Sequence, residues 1–107
     1  MLAWIYLSGA IATEVVGTVF LRYTDGFTRP TPSLLVLATY AASLWLTALA
    51  LRELEISLAY AVWAGVGTVA VAVIGMAALG ESVNALKLAS IALVIGGVVG
   101  LNLSGAN

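Results

Sequence analysis

Residues 6–19 read YLSGAIATEVVGTV, an apolar stretch with a single carboxylate, Glu14, near its middle. A charged side chain at the centre of a bilayer costs about 2.5–3.5 kcal/mol on insertion scales, so membrane segments keep such groups mainly where they serve a function. We therefore expect it to lie inside a membrane, with the rest of the chain holding its carboxylate there.

Composition extends this expectation to the whole chain. Of its 107 residues, 63% are hydrophobic and 8% are charged, and the mean hydropathy is +1.14. A chain this short cannot hide so much apolar surface in one water-soluble core. All the charged side chains except Glu14 lie in or beside three short polar interruptions. The lipid bilayer is therefore an expected partner of most of the sequence.

Composition also excludes several classes of function. The chain has no Cys and no His, so it lacks the usual ligands of zinc, haem and iron–sulfur clusters and the residues of most nucleophile triads. A net charge of −1 provides no basic surface for nucleic acid. We expect no metal, no cofactor, no nucleic-acid partner and no enzymatic activity.

The apolar runs predict four membrane-spanning helices. A helix needs about 20 residues to cross the hydrocarbon, and the runs are continuous, without the alternation that a β-barrel requires. The predicted fold class is an all-α membrane protein, in which residues 1–107 form one transmembrane domain. Ser33 is a candidate N-cap for the second helix, and Gly80 is predicted to end the third. The four helices are expected at about residues 2–21, 33–51, 56–79 and 85–103.

Small and polar residues share the helix face of Glu14. At about 3.6 residues per turn, Ala10, Gly17 and Thr18 lie on that face. Ala10 and Gly17 leave volume beside the acid for a ligand or for a closely packed helix. The alternative to a functional carboxylate is a neutral Glu14, hydrogen-bonded inside a helix bundle.

The second predicted helix carries a polar stripe. Tyr40, Ser43 and Thr47 are spaced by three and four residues, which places them on one side of an otherwise apolar span. Their hydroxyls could bind a ligand or Glu14. Alternatively, the Ser and Thr side chains bond to the backbone of their own helix, and Tyr40 only packs.

The third predicted helix holds two aromatic residues one turn apart, Tyr60 and Trp63. Aromatic faces attract organic cations by about 0.5–2 kcal/mol each, so this pair is a candidate cation site, with core packing as the alternative. Gly65 and Gly67 follow directly. They indicate either a hinge or a close helix crossing.

The fourth predicted helix has small residues in two strips, one of Ala92, Gly96 and Gly100, and one of Ser90 and Gly97. Small residues let membrane helices approach closely, so two strips suggest one contact inside the chain and one with a second copy. A single bundle of four short helices has little room for a central cavity. We therefore expect a dimer that surrounds a cavity with Glu14 from each copy.

Several of these segments together resemble the small multidrug resistance family of membrane transporters, over essentially the whole chain. The matching motifs are ATEVVGT at residues 12–18, GFTR at residues 26–29, AYAVWAGVG at residues 59–67 and GV at residues 97–98. The resemblance implies an antiparallel, dual-topology homodimer in the bacterial inner membrane that exchanges protons for small organic cations. It also places the dimer contact on the fourth helix, at Ser90, Leu93, Val94, Gly97 and Val98.

In the transporter that this resemblance implies, a proton and a cation compete for Glu14. Tyr60 and Trp63 would form aromatic walls, with Tyr40 and Ser43 on a polar side. Thr18 is a further candidate substrate-binding residue. Ala10 and Gly17 would give the site its width, and Gly65 and Gly67 would bend during alternating access.

Two branches of the family differ near the acid. The chain is similar to the quaternary-cation exporters at Gly17, Tyr40 and Asn102, where guanidinium exporters typically have tryptophan, an apolar residue and lysine. Residues 30–32 and 79–82 look at least as much like the guanidinium branch. We expect export of hydrophobic quaternary ammonium cations. A guanidinium exporter is the first alternative, and a membrane partner subunit without transport activity is the second.

Overall fold

The computed structural model describes residues 2–104, which form four long α-helices and no strand. The helices are α1 (Leu2–Leu21), α2 (Pro30–Ala50), α3 (Ile56–Ala78) and α4 (Ala85–Leu103). Each is long and apolar enough to cross a membrane. The predicted all-α fold with four spans is therefore confirmed, and α1 and α4 have the predicted bounds.

The start of α2 corrects one predicted boundary. The helix begins at Pro30 rather than Ser33, because a proline at the first helical position has the right φ and needs no N–H partner. Ser33 is therefore inside the first turn, and its hydroxyl donates to the Arg29 carbonyl at 2.5 Å instead of capping the helix. The third helix ends at Ala78, and Gly80 has the positive φ of +72° typical of a helix stop.

The chain divides into two compact units, the first ending at Leu54 and the second beginning at Glu55. The first is a hairpin in which α1 packs along α2. Asp25, Gly26 and Phe27 all have positive φ, at 50°, 68° and 65°, and this tight turn reverses the chain between the helices. The buried Thr24 hydroxyl donates to the Leu21 carbonyl and accepts the Phe27 N–H, which fixes the turn.

The second unit contains α3 and α4, and its close contact depends on a glycine of α3. A Cβ at Gly65 would collide with the side chain of Val98 and lie 3.5 Å from Val94 Cγ1. By contrast, Gly96 and Gly100 of α4 have open space where a Cβ would be. The predicted contact of a small-residue strip of α4 inside the chain is therefore not the contact with α3. Valines of α4 make it instead, against a glycine of α3.

Candidate functional site

Glu14 is the only charged side chain between Leu2 and Leu21, and it is half-buried. Thr18, one turn along α1, donates its hydroxyl hydrogen to Glu14 Oε1 at 2.8 Å. The second oxygen, Oε2, accepts no hydrogen bond from the described residues of the first unit. A carboxylate offers about four lone-pair positions, so most of the acceptor capacity of Glu14 is unused.

Tyr40 of α2 joins this pair across the hairpin. Its hydroxyl oxygen lies 2.7 Å from Thr18 Oγ1. When Glu14 is ionised, Thr18 gives its single hydroxyl hydrogen to the carboxylate, and Tyr40 is then the donor to Thr18. The three side chains form a hydrogen-bond chain that runs in one direction, from Tyr40 through Thr18 to Glu14.

Gly17 makes this contact possible. A Cβ at that position would lie 2.5 Å from Thr39 Oγ1 and 2.6 Å from Tyr40 Cε1, which is closer than real Cβ contacts come. The space beside Gly17 is therefore filled by α2. Ala10 is likewise fully buried. Their predicted role in widening a cation site stays a prediction, and in the structure both residues belong to the close packing of α1 and α2.

Ser43 holds the two helices together in a way that the sequence reasoning missed. Its buried hydroxyl donates to the Ala10 carbonyl of α1 at 2.7 Å. It therefore bonds neither to Glu14 nor to its own helix, and its predicted role in binding a ligand stays a prediction. Thr47 does bond to its own helix, at the Ser43 carbonyl. The sequence signal for this bond is weak: small residues such as Ala10 and Ser43 let membrane helices approach closely, but the sequence does not show which of them face each other.

Removing the Ser43 hydroxyl should weaken the hairpin. We expect Ser43→Ala to lower the free energy of unfolding by about 1 kcal/mol, because the Ala10 carbonyl then loses an interhelical donor. Reversible unfolding of the purified chain in mixed micelles measures this. The control is Ser8→Ala, whose exposed hydroxyl bonds only within α1, to the Trp4 carbonyl. Equal losses for both variants would contradict an interhelical role for Ser43.

The predicted cation-binding aromatics lie together in the second unit. The rings of Tyr60 and Trp63 are stacked, with centroids 5.8 Å apart and an interplanar angle of 28°. Tyr60 is 66% exposed, which argues against the alternative of core packing for that residue. Trp63 Nε1 is buried and donates no hydrogen bond among the described residues. The pair thus offers an open aromatic face and an unused donor.

The remaining predicted residues fall into two groups. Gly65 and Gly67 are buried in an unbroken α3. The contact with Val98 shows that α4 crosses α3 closely at Gly65. The predicted hinge at these glycines stays a prediction. Of the residues assigned to a dimer contact, Val94 and Val98 approach Gly65 within the chain. The exposed members of that set are Ser90, Leu93 and Gly97.

Comparison with known proteins agrees with this architecture. The sequence model for the Small Multidrug Resistance protein family matches residues 2–94. The nicotine metabolites export pump subunit NepB of Paenarthrobacter nicotinovorans is 48% identical over 102 residues, which is 95% of this chain and 61% of NepB. This chain therefore spans less than two thirds of that relative.

Two further relatives match along most of their own length. The guanidinium exporter of Escherichia coli K12 is 46% identical over 103 residues, which is 96% of this chain and 98% of the exporter. The uncharacterized membrane protein YvaE of Bacillus subtilis is 45% identical over 100 residues, covering 94% of this chain and 84% of YvaE. The chain thus belongs to the small multidrug resistance family, as a small-molecule exporter of the bacterial inner membrane rather than an enzyme.

Proposed function

We propose that this chain exchanges protons for small organic cations at Glu14, with guanidinium as its preferred class of substrate. The observation that carries the proposal is a lone, half-buried carboxylate that uses one oxygen in a hydrogen bond from Thr18. No basic side chain in α1 or α2 neutralises it, because neither helix contains Lys or Arg. A proton or a bound cation is then the natural partner of its charge.

Competition for one carboxylate is sufficient to couple the two fluxes. A charged group in a membrane span is costly when unpaired, so the state with neither proton nor cation is disfavoured. The state with both is disfavoured too, since a protonated Glu14 has no charge to offer. Each change of access therefore carries either a proton or a cation, and a proton gradient drives the cation outward.

The acceptors around Glu14 favour a cation that carries N–H groups. A guanidinium ion presents a planar fork of N–H donors that matches a carboxylate. The Tyr40 oxygen, which donates its hydrogen to Thr18, keeps its lone pairs for a further N–H donor. A quaternary ammonium ion has no N–H group and would leave these acceptors unused. The relatives that are named guanidinium exporters, at 42–47% identity, support the same choice. The expectation of a quaternary substrate is not supported to the same extent.

A second candidate remains the export of aromatic or quaternary cations. Its support is the stacked Tyr60–Trp63 pair, whose exposed Tyr60 ring offers the π-face that such cations prefer. The relative NepB is named a nicotine metabolites export pump subunit and not a guanidinium exporter, which also supports a second candidate.

For assembly, we propose the antiparallel, dual-topology homodimer. The support is α4, none of whose described residues is buried and whose Ser90, Leu93 and Gly97 are exposed. Small residues on an exposed membrane helix are the usual contact between copies. NepB is named a pump subunit, so the alternative to the homodimer is a hetero-oligomer with a second kind of subunit.

The deciding experiment is a substrate panel with the purified chain alone in proteoliposomes. Currents on a solid-supported membrane are recorded for guanidinium and for tetraphenylphosphonium, with an inward and then an outward pH gradient. We expect guanidinium currents at least about tenfold larger, a difference of about 1.4 kcal/mol in transition-state binding. The reverse ranking would assign the chain to the second candidate. The absence of a current with every cation would indicate that another subunit is needed.

A further inference from the structure

The direction of the hydrogen-bond chain depends on the charge of Glu14. An ionised carboxylate can only accept, which obliges Thr18 to donate to Oε1 and Tyr40 to donate to Thr18. A protonated carboxyl group has an O–H of its own to donate. Each hydrogen bond between these three side chains uses a single hydrogen. An additional donor at Glu14 can therefore reverse the donor and acceptor of both hydrogen bonds.

We propose that proton uptake by Glu14 reverses the Tyr40–Thr18–Glu14 chain, and that Thr18 is the positioning residue that transmits the change to Tyr40. This inference rests on the proposed exchange of protons and cations. In the reversed state Glu14 donates to Thr18 Oγ1 and Thr18 donates to the Tyr40 oxygen. The Tyr40 O–H is then released to donate elsewhere, while no covalent bond other than that of the arriving proton is formed.

The reversal would weaken the site for cations at two places, because Glu14 loses its charge and Tyr40 turns from an acceptor into a donor. With an ionised Glu14, both Oε2 and the outward lone pairs of Tyr40 can accept N–H groups of a substrate. With a protonated Glu14, the carboxyl group is neutral and Tyr40 points a hydrogen outward. At Tyr40, a substrate with N–H donors then meets a donor instead of an acceptor. One proton on Glu14 therefore weakens substrate binding at both Glu14 and Tyr40.

The surroundings of the chain within the first unit are simple. Among residues 2–54, α1 and α2 contribute no charged side chain other than Glu14, and their remaining titratable groups are the phenols of Tyr6 and Tyr40. Thr39, which neighbours Gly17, donates to the Leu35 and Val36 carbonyls at 3.0 Å each and does not join the chain. Thr18 is therefore the single hydroxyl between the acid and Tyr40.

The test is NMR of the full-length chain in lipid bicelles, labelled with 13C at the tyrosine Cζ and glutamate Cδ atoms. Tyr40→Phe and Glu14→Gln spectra assign the two signals. We expect the Tyr40 signal to shift with the same pH midpoint as Glu14. This response should be lost in Thr18→Val, which keeps the shape of the side chain without its hydroxyl, and it should return in Thr18→Ser.

A matched control is Thr13→Val, because the Thr13 hydroxyl bonds only within α1, to the Gly9 and Ala10 carbonyls. It should leave the Tyr40 response intact. A Tyr40 signal that ignores the titration of Glu14 in the unmodified chain would overturn the inference, since the proton would then settle on Oε2 with Thr18 still donating to Oε1. A pH response of the Tyr40 signal that survives in Thr18→Val would also overturn the inference. Proton-driven uptake by the same variants in proteoliposomes separates this inference from the proposed exchange at Glu14, which fails if exchange is independent of Glu14.

Discussion

Glu14→Gln should abolish proton-driven cation export, with a loss on the order of 100-fold or more. Truncating one member of a desolvated charge pair costs about 2–5 kcal/mol, and each 1.4 kcal/mol is tenfold. The amide keeps an oxygen that can accept the Thr18 hydrogen bond, so the hairpin of α1 and α2 should still fold. Uptake of guanidinium into proteoliposomes under a fixed pH gradient measures the effect.

Two variants make the result specific. Glu14→Asp keeps the charge but shortens the side chain, and it should retain measurable exchange. Glu81→Gln removes an exposed carboxylate that lies 3.8 Å from Lys87 Nζ at the end of α3, and it should leave export unchanged. Undiminished exchange by Glu14→Gln would contradict the proposed mechanism outright.

The helices were predictable because hydrophobicity and length alone decide a membrane span. The ends of the helices were less predictable where two local signals for a helix start lie close together. At the start of α2, Ser33 is a good N-cap by residue type, yet two prolines before it already satisfy the first helical positions. The sequence contains both signals, and only the backbone shows that the proline signal prevails.

The candidate site was predictable as a set of residues but not as a set of contacts. Glu14, Tyr40 and Ser43 were singled out by their polarity in apolar spans, and Thr18 by its place on the helix face of Glu14. Periodicity places residues on a helix face, but it does not give the rotation of one helix against its neighbour. The Ser43 bond to the Ala10 carbonyl and the Tyr40 bond to Thr18 both depend on that rotation.

Gly17 shows the same limit most clearly. In the sequence, a glycine one turn from an acid indicates volume for a ligand or for a closely packed helix, and the family resemblance favoured a wider cation site. In the structure the volume is occupied by Thr39 and Tyr40 of α2. The absence of a side chain indicates close approach of something, and only three-dimensional packing tells a neighbouring helix from a ligand.

Gly17→Ala should therefore be the most damaging small substitution in the hairpin. Its Cβ would meet Thr39 Oγ1 at 2.5 Å and the Tyr40 ring at 2.6 Å and 2.7 Å. Neither neighbour can yield without loss, because Thr39 bonds to two carbonyls of its own helix and Tyr40 bonds to Thr18. We expect a destabilisation of about 1–3 kcal/mol, typical of overpacking, measured by reversible unfolding in mixed micelles.

The control is Gly100→Ala on α4, where a Cβ would meet no atom within 4 Å. Alanine is favoured over glycine in a helix by up to about 1 kcal/mol, so this variant should be neutral or slightly more stable. A double-mutant cycle with Tyr40→Leu removes the ring atoms nearest to the new Cβ, and the double variant should recover part of the loss. Equal stability of Gly17→Ala and Gly100→Ala, with no coupling to Tyr40, would mean that α1 and α2 do not approach as closely as the structure shows. Tyr40 could then not reach Thr18, and the proposed hydrogen-bond chain to Glu14 would be contradicted.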